Sequence, residues 1–278
     1  MKKTESLPPD RIAVLAKIKE YESKGGECFF YDVEDDPPSR TLLPADVDYL
    51  HDTAKFKING FFARKIEWLS KIFCKKKYRI TISGTENLKQ INGGAIFTSN
   101  HFAITENLAV KLAAEQAPGH HRMYKLVREG NFFMSGIVGW LLKYCDTLPL
   151  SSSLATQKLL DKAITKILNN GDFILVYPEQ SMWWNYQKPR PYRIGAYHYA
   201  AKNNVPVVAC FITLHPKDKR DSMLPDNIRY SVHILPPIYP DKSLKVRENA
   251  ERMREQNAKL CREVYEKVYG KALSCPQQ

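Results

Sequence analysis

Residues 95–108 read Ala95-Ile96-Phe97-Thr98-Ser99-Asn100-His101-Phe102-Ala103-Ile104-Thr105-Glu106-Asn107-Leu108. The first five form a short apolar and β-branched run, the pattern of a buried strand, and Thr105-Glu106 opens a helix. A strand that leads directly into a helix is the repeating unit of a sheet whose connections cross over its faces. The alternation continues on both sides. Strand-like runs stand at 78–83, 122–126, 147–150, 173–177, 206–214 and 229–235, with helical spacing near 105–116, 132–144, 154–169, 192–203 and 243–269. This predicts an α/β domain: a largely parallel central sheet of about seven strands flanked by helices.

A chain of 278 residues suits one large domain with an appended element. The reading divides it into an N-terminal helical extension over 1–77, a core over 78–240 and a C-terminal packing helix over 241–278. In the extension, Ile12, Leu15, Ile18 and Tyr21 have helical spacing and precede an acidic, proline-broken stretch from Val33 to Pro38. Ile58, Phe61, Phe62, Ile66, Leu69, Ile72 and Phe73 follow, again at helical spacing, among Arg64, Lys65, Lys71 and Lys75-Lys76-Lys77. Such a helix either docks on the core with its lysines solvated or lays its apolar face on an anionic membrane surface, the reading preferred here. Met1 to Ser6 lead into prolines and not into an apolar signal region, and no apolar run reaches the roughly 18 residues of a spanning helix.

The formal net charge of +12 favours a polyanionic partner: nucleic acid, an anionic membrane or a phosphorylated substrate. No basic-aromatic module accompanies the charge, so no nucleic-acid partner is expected. Six scattered cysteines without a C-x-x-C pair argue against a zinc site and against a secreted disulfide framework. His120-His121 stands without a further ligand at metal spacing, so no metal is expected either. A reducing setting, cytoplasmic and at the inner face of a membrane, is the default expectation.

His101 and Glu106 are the candidate catalytic pair. Five residues along a regular helix separate two side chains by about 500°, so they meet only if His101 lies in the turn before the helix. Placed so, the carboxylate holds one ring nitrogen and the other is left to take a proton, the arrangement of a general base. A surface histidine beside an acid at a helix start is the plainer alternative, and it would prevail if the pair stood alone.

It does not stand alone. Tyr177-Pro178-Glu179-Gln180-Ser181 closes a later strand and is followed by Met182-Trp183-Trp184; Pro191-Tyr192-Arg193-Ile194-Gly195 opens a helix, and Val205-Pro206-Val207 begins a strand. With Lys125 in a middle block, these segments resemble, in order and spacing over roughly 78–215, the lysophospholipid (1-acylglycerol-3-phosphate) acyltransferase family, whose pattern is N-H-x-x-x-x-D, F-P-E-G-T-R-S, P-F-K-x-G and V-P-[IV]. No G-x-S-x-G elbow is present. The resemblance implies a glycerolipid-acyltransferase-like fold and direct attack of an acceptor hydroxyl on an acyl thioester, with His101 as base and no cofactor. The donor would be acyl-CoA or acyl-carrier protein, and the acceptor a lysophospholipid or other lipid. It also implies substrate-binding roles for Asn100, Lys125, Glu179, Gln180, Ser181, Arg193 and Gly195.

The chain departs from the pattern in using Glu106 for aspartate, Gln180 for glycine and Met182 for the arginine of the third block; Ser151 and Ser152 fall where a middle-block arginine is expected. The resemblance assigns those arginines to the acceptor phosphate. Lys125, Arg128, Lys188, Arg190 and Arg193 are the available substitutes, Arg193 and Lys125 foremost. The alternatives are an acceptor without phosphate and a catalytically silent lipid-binding member of the fold. Trp183, Trp184 and Tyr186 form either an aromatic wall along an acyl channel or ordinary core.

Overall fold

The computed structural model describes residues 7–34, 40–218 and 227–273. Met1 to Ser6, the Asp35-Asp36-Pro37-Pro38 part of the acidic stretch and Cys275 lie outside the described residues.

Seven strands form one sheet: β1 (Thr81–Ser83), β2 (Ala95–Ser99), β3 (Met123–Val127), β4 (Thr147–Pro149), β5 (Phe173–Val176), β6 (Val207–Pro216) and β7 (Ile228–Ile234). Their order is β1-β7-β6-β2-β5-β3-β4. All neighbouring pairs are parallel except β6 with β7, where Cys210 faces Ile234 and Pro216 faces Ile228 in an antiparallel ladder. Strand β2 lies in the middle, between β5 and β6, and every one of its residues is buried. A strand covered on both faces needs a continuous apolar run, which is why Ala95-Ile96-Phe97 shows no alternation. Gly94 leads into it because a Cβ there would stand 2.2 Å from the Leu168 carbonyl oxygen.

Seven α-helices accompany the sheet: α1 (Pro9–Lys24), α2 (Ala54–Lys77), α3 (Glu106–Ala114), α4 (Gly136–Tyr144), α5 (Leu154–Asn169), α6 (Gly195–Asn203) and α7 (Val246–Tyr269). Helices α5, α6 and α7 bury Leu160, Ile164, Tyr197 and Met253 against one face of the sheet. Helix α3 buries Leu108, Val110 and Ala113 against the other, where Cys74 of α2 joins them. The result is a three-layer arrangement with β2 at its centre, and the chain end of β2 is where α3 begins. Helix α1 packs Val14 and Ile18 with Phe29, Val33 and Trp183 in a separate small core.

Candidate active site

At the end of β2 the Asn100 side chain donates to the Ile212 carbonyl at 3.0 Å and accepts from the Ile212 N–H at 2.9 Å. It is buried and acts as a pin between β2 and β6. His101 then leaves the ladder and occupies the turn before α3, where its Nδ1 hydrogen-bonds Oε1 of Glu106. Glu106 is 1% exposed and the His101 side chain 22% exposed. A carboxylate acceptor holds the proton on Nδ1, which leaves the lone pair of Nε2 available. Nε2 makes no bond among the described residues, so the imidazole is oriented on one side and open on the other. The ring of Tyr177 lies flat against it, centroid to centroid 4.1 Å with 14° between planes.

The second block builds the floor under this pair. Glu179 Oε2 accepts the backbone N–H of His101 at 3.0 Å and the guanidinium of Arg190 at 2.9 Å, while Oε1 accepts the Arg190 backbone N–H at 3.1 Å. Arg190 is wholly buried and also donates to the Phe29 carbonyl and to the Ser181 hydroxyl. Burial pulls its pKa down and the Glu179 carboxylate opposes that pull. The Trp183 and Asn185 N–H groups donate to the carbonyls of His101 and Phe102 at 3.0 Å each. Glu179, Ser181 and Arg190 thus hold main chain and one another. Gln180, which stands where the family pattern has glycine, adopts the left-handed conformation, with φ of 64°. Trp183 is fully buried, stacked on Phe29, so the core reading of this residue is the one that the structure supports.

Each of the five cations nominated for an acceptor phosphate has a carboxylate partner. Lys125 Nζ is 2.7 Å from Glu67, Arg193 grips Glu27, Arg190 holds Glu179, and Arg128 and Lys188 pair with Asp32 and Glu22. They are not equivalent. The Arg193 and Glu27 side chains are 41% and 66% exposed, and an exposed pair is worth about 0–1 kcal/mol, so an incoming phosphate can replace the carboxylate. Glu67 is 5% exposed and shared between Lys125 and Lys111, so drawing Lys125 away would leave one oxygen of a buried carboxylate without its cation. Lys125, expected to meet substrate, is committed to tying β3 to α2. Ser151 and Ser152 are likewise engaged, with the Leu42 carbonyl and Glu129. Gly195 opens α6 at the surface. Among the described residues no cluster of metal-ligating side chains is present.

Helix α2 is turned inside out relative to an ordinary surface helix. Its buried positions are Phe56, Gly60, Ala63, Glu67, Lys71 and Cys74, whereas Ile58, Phe61, Phe62, Trp68, Leu69, Ile72 and Phe73 are exposed. The charges face inward because α3 and β3 present charges: Lys111 and Lys125 to Glu67, and Glu115 to Lys71. Lys71, counted in the sequence among the basic residues beside the apolar stripe, is buried in that ladder. The Glu67–Lys111 and Lys71–Glu115 pairs share an offset of 44 residues. Helices α2 and α3 therefore run in the same direction. No described helix is long and apolar enough to cross a membrane.

Neither the Tyr177 ring on His101 nor the Glu67 ladder emerged from the sequence. The only signal for Tyr177 was its place as the last residue before Pro178-Glu179; for Glu67 it was a charge amid an apolar stripe.

Comparison with known proteins bears on this geometry. The family model described as Acyltransferase matches residues 79–213. A chloroplastic 1-acyl-sn-glycerol-3-phosphate acyltransferase of Brassica napus is 24% identical over 200 residues, which cover 70% of this chain and 54% of the relative. A chloroplastic enzyme of the same description from Arabidopsis thaliana is also 24% identical over 200 residues, covering 70% and 52%. The chain thus spans about half the length of the curated relatives it matches. The crystal structure of the 1-acyl-sn-glycerophosphate acyltransferase PlsC of Thermotoga maritima shares the fold, with a TM-score of 0.52 at 18% identity over 76% of this chain and 83% of that one. The family match covers the part of the chain that holds the central sheet and the ordered blocks around His101, so over that part the chain is similar to the acyltransferases, and its fold is that of the solved acyltransferase.

Proposed function

We propose that the site transfers a fatty acyl group from an acyl thioester, acyl-CoA or acyl-carrier protein, to a hydroxyl of a lysophospholipid such as 1-acylglycerol-3-phosphate. The observation that carries the reading is the His101–Glu106 pair, with Nδ1 fixed and Nε2 open. Nε2 takes the acceptor's hydroxyl proton as its oxygen bonds to the thioester carbonyl carbon. The C–S bond then breaks, and the departing thiolate takes the proton from the imidazolium and leaves as a free thiol. Glu106 keeps the imidazole in the productive tautomer and stabilises its charged form.

The outward apolar face of α2 supports peripheral attachment to an anionic membrane, in which the lipid acceptor would reside. Lys75, Lys76 and Lys77 flank that face, and each basic residue near anionic lipid adds about 1 kcal/mol. In this reading the 1–77 segment is the membrane-facing extension, 78–240 the catalytic core and 241–278 a packing helix. The plant relatives are chloroplastic; attachment at the cytoplasmic face is proposed here from charge and cysteine pattern.

A second reading, an acceptor without phosphate, is favoured by one observation: every nominated cation is paired. Thiol release by the purified protein, with phosphorylated and neutral lysolipids supplied in parallel on vesicles, decides between them. Turnover that is lost in His101→Ala supports acyl transfer by this base. No thiol release with any donor and acceptor would leave a silent lipid-binding fold instead.

A further inference from the structure

The carboxylate of Glu106 is almost wholly buried, yet only one of its oxygens is used. Oε1 meets His101, while Oε2 is buried without a hydrogen-bond partner among the described residues. One other group close by is in the same condition: the hydroxyl of Tyr177 is buried and has no partner either. The two belong together. Burial first, and then the charge of Glu106, push the Tyr177 phenol well above its usual range, so the hydroxyl keeps its proton as a donor. A buried anion with an empty acceptor is costly, and so is a buried unpaired hydroxyl; one bond removes both costs.

The chain's departures from the family pattern agree with this. Where the pattern has Asp, this chain has Glu106, whose extra methylene carries the carboxylate further from its backbone; where the pattern has Phe-Pro-Glu, it has Tyr177-Pro178-Glu179. The added methylene and the added hydroxyl converge on one point. The remaining titratable neighbours, Cys210 on β6 and Tyr230 on β7, are both held neutral by burial, so neither competes with His101 for the carboxylate's charge.

We infer that Tyr177 is a positioning residue for the catalytic base: its hydroxyl donates to Oε2 of Glu106 while its ring supports the imidazole of His101. The phenol, Glu106 and His101 then form a three-membered relay in which Tyr177 fixes the rotamer of the carboxylate. The inference rests on the reading of His101 as the base.

Tyr177→Phe keeps the ring and removes only the donor. In the purified protein, kcat for thiol release should fall on the order of tenfold, the range for one hydrogen bond to a charged group, with KM unchanged. The Nδ1–H proton resonance of His101, assigned by its loss in His101→Gln, should move downfield, because a carboxylate relieved of one donor becomes a stronger acceptor for the other. In a Glu106→Asp background, where the shorter side chain withdraws from the hydroxyl, Tyr177→Phe should cost far less. An unmoved Nδ1–H resonance together with equal losses in the two backgrounds would overturn the inference and leave Tyr177 as packing. The resonance reports on the pair without turnover, so a protein with no transferase activity but a shifted signal would overturn the acyltransfer reading and spare this one.

Discussion

Glu179 reaches back across the site to accept the backbone N–H of His101 at 3.0 Å, and the same oxygen is gripped by Arg190 at 2.9 Å. The acid of the second block therefore sets the height and tilt of His101 through main chain. Glu179→Gln removes the charge that compensates Arg190, which has no access to water. Unpairing a buried ion pair costs about 3–5 kcal/mol. The denaturant midpoint should drop accordingly and turnover should fall with it; a loss under about 1 kcal/mol would show that Arg190 finds another acceptor.

The Glu67 ladder should shape the acid limb of stability. Burial alone would raise the Glu67 carboxyl, but Lys125 and Lys111 outweigh it and hold the pKa at about 2, against an ordinary 4.5. A depressed folded-state pKa contributes stability that is fully present above about 4.5 and is lost as pH falls towards about 2. The difference corresponds to about 3 kcal/mol at neutral pH. In Glu67→Gln that part of the pH dependence should vanish, measured as unfolding free energy from pH 5 down to the lowest pH at which the protein remains folded. The same variant strands Lys125 and Lys111 and should be less stable at pH 7.

Charging the outer face of α2 should separate adhesion from folding. Phe62 and Leu69 are 57% and 58% exposed, so Phe62→Glu with Leu69→Glu removes no core contact. Stability should change by no more than about 0.5 kcal/mol per site. Sedimentation with anionic vesicles should fall at least about tenfold, since apolar insertion is lost and acidic charge is added. Unchanged vesicle binding would place the membrane contact elsewhere.

Gln180 offers a substitution that should stabilise. Its φ of 64° costs an L-residue about 1–2 kcal/mol, which glycine avoids at some loss of unfolded-state restriction. Gln180→Gly should raise stability by roughly 1 kcal/mol, despite losing the 3.3 Å contact from Arg193 to the Gln180 side chain. Gln180→Ala should give no such gain; thermal midpoints of the two variants check this directly.

The strand and helix periods, the seven-strand sheet and the placing of His101 before a helix that begins with Glu106 were all legible in sequence, because each depends on neighbours a few residues apart. Even the contact of His101 with Glu106 followed from local geometry, since a five-residue spacing closes only across a turn. The orientation of α2 did not. Its stripe shows that one face is apolar, but whether that face turns inward depends on what opposes it, and the partners of its charges lie 44 and 58 residues away. The same holds for the nominated cations: Arg193 meets Glu27 from 166 residues away, a choice among 30 acids that only the folded chain makes. Ion pairs and ring contacts over such distances carry no period, and tertiary structure alone decided which carboxylate each cation meets and that Tyr177 would lie against His101.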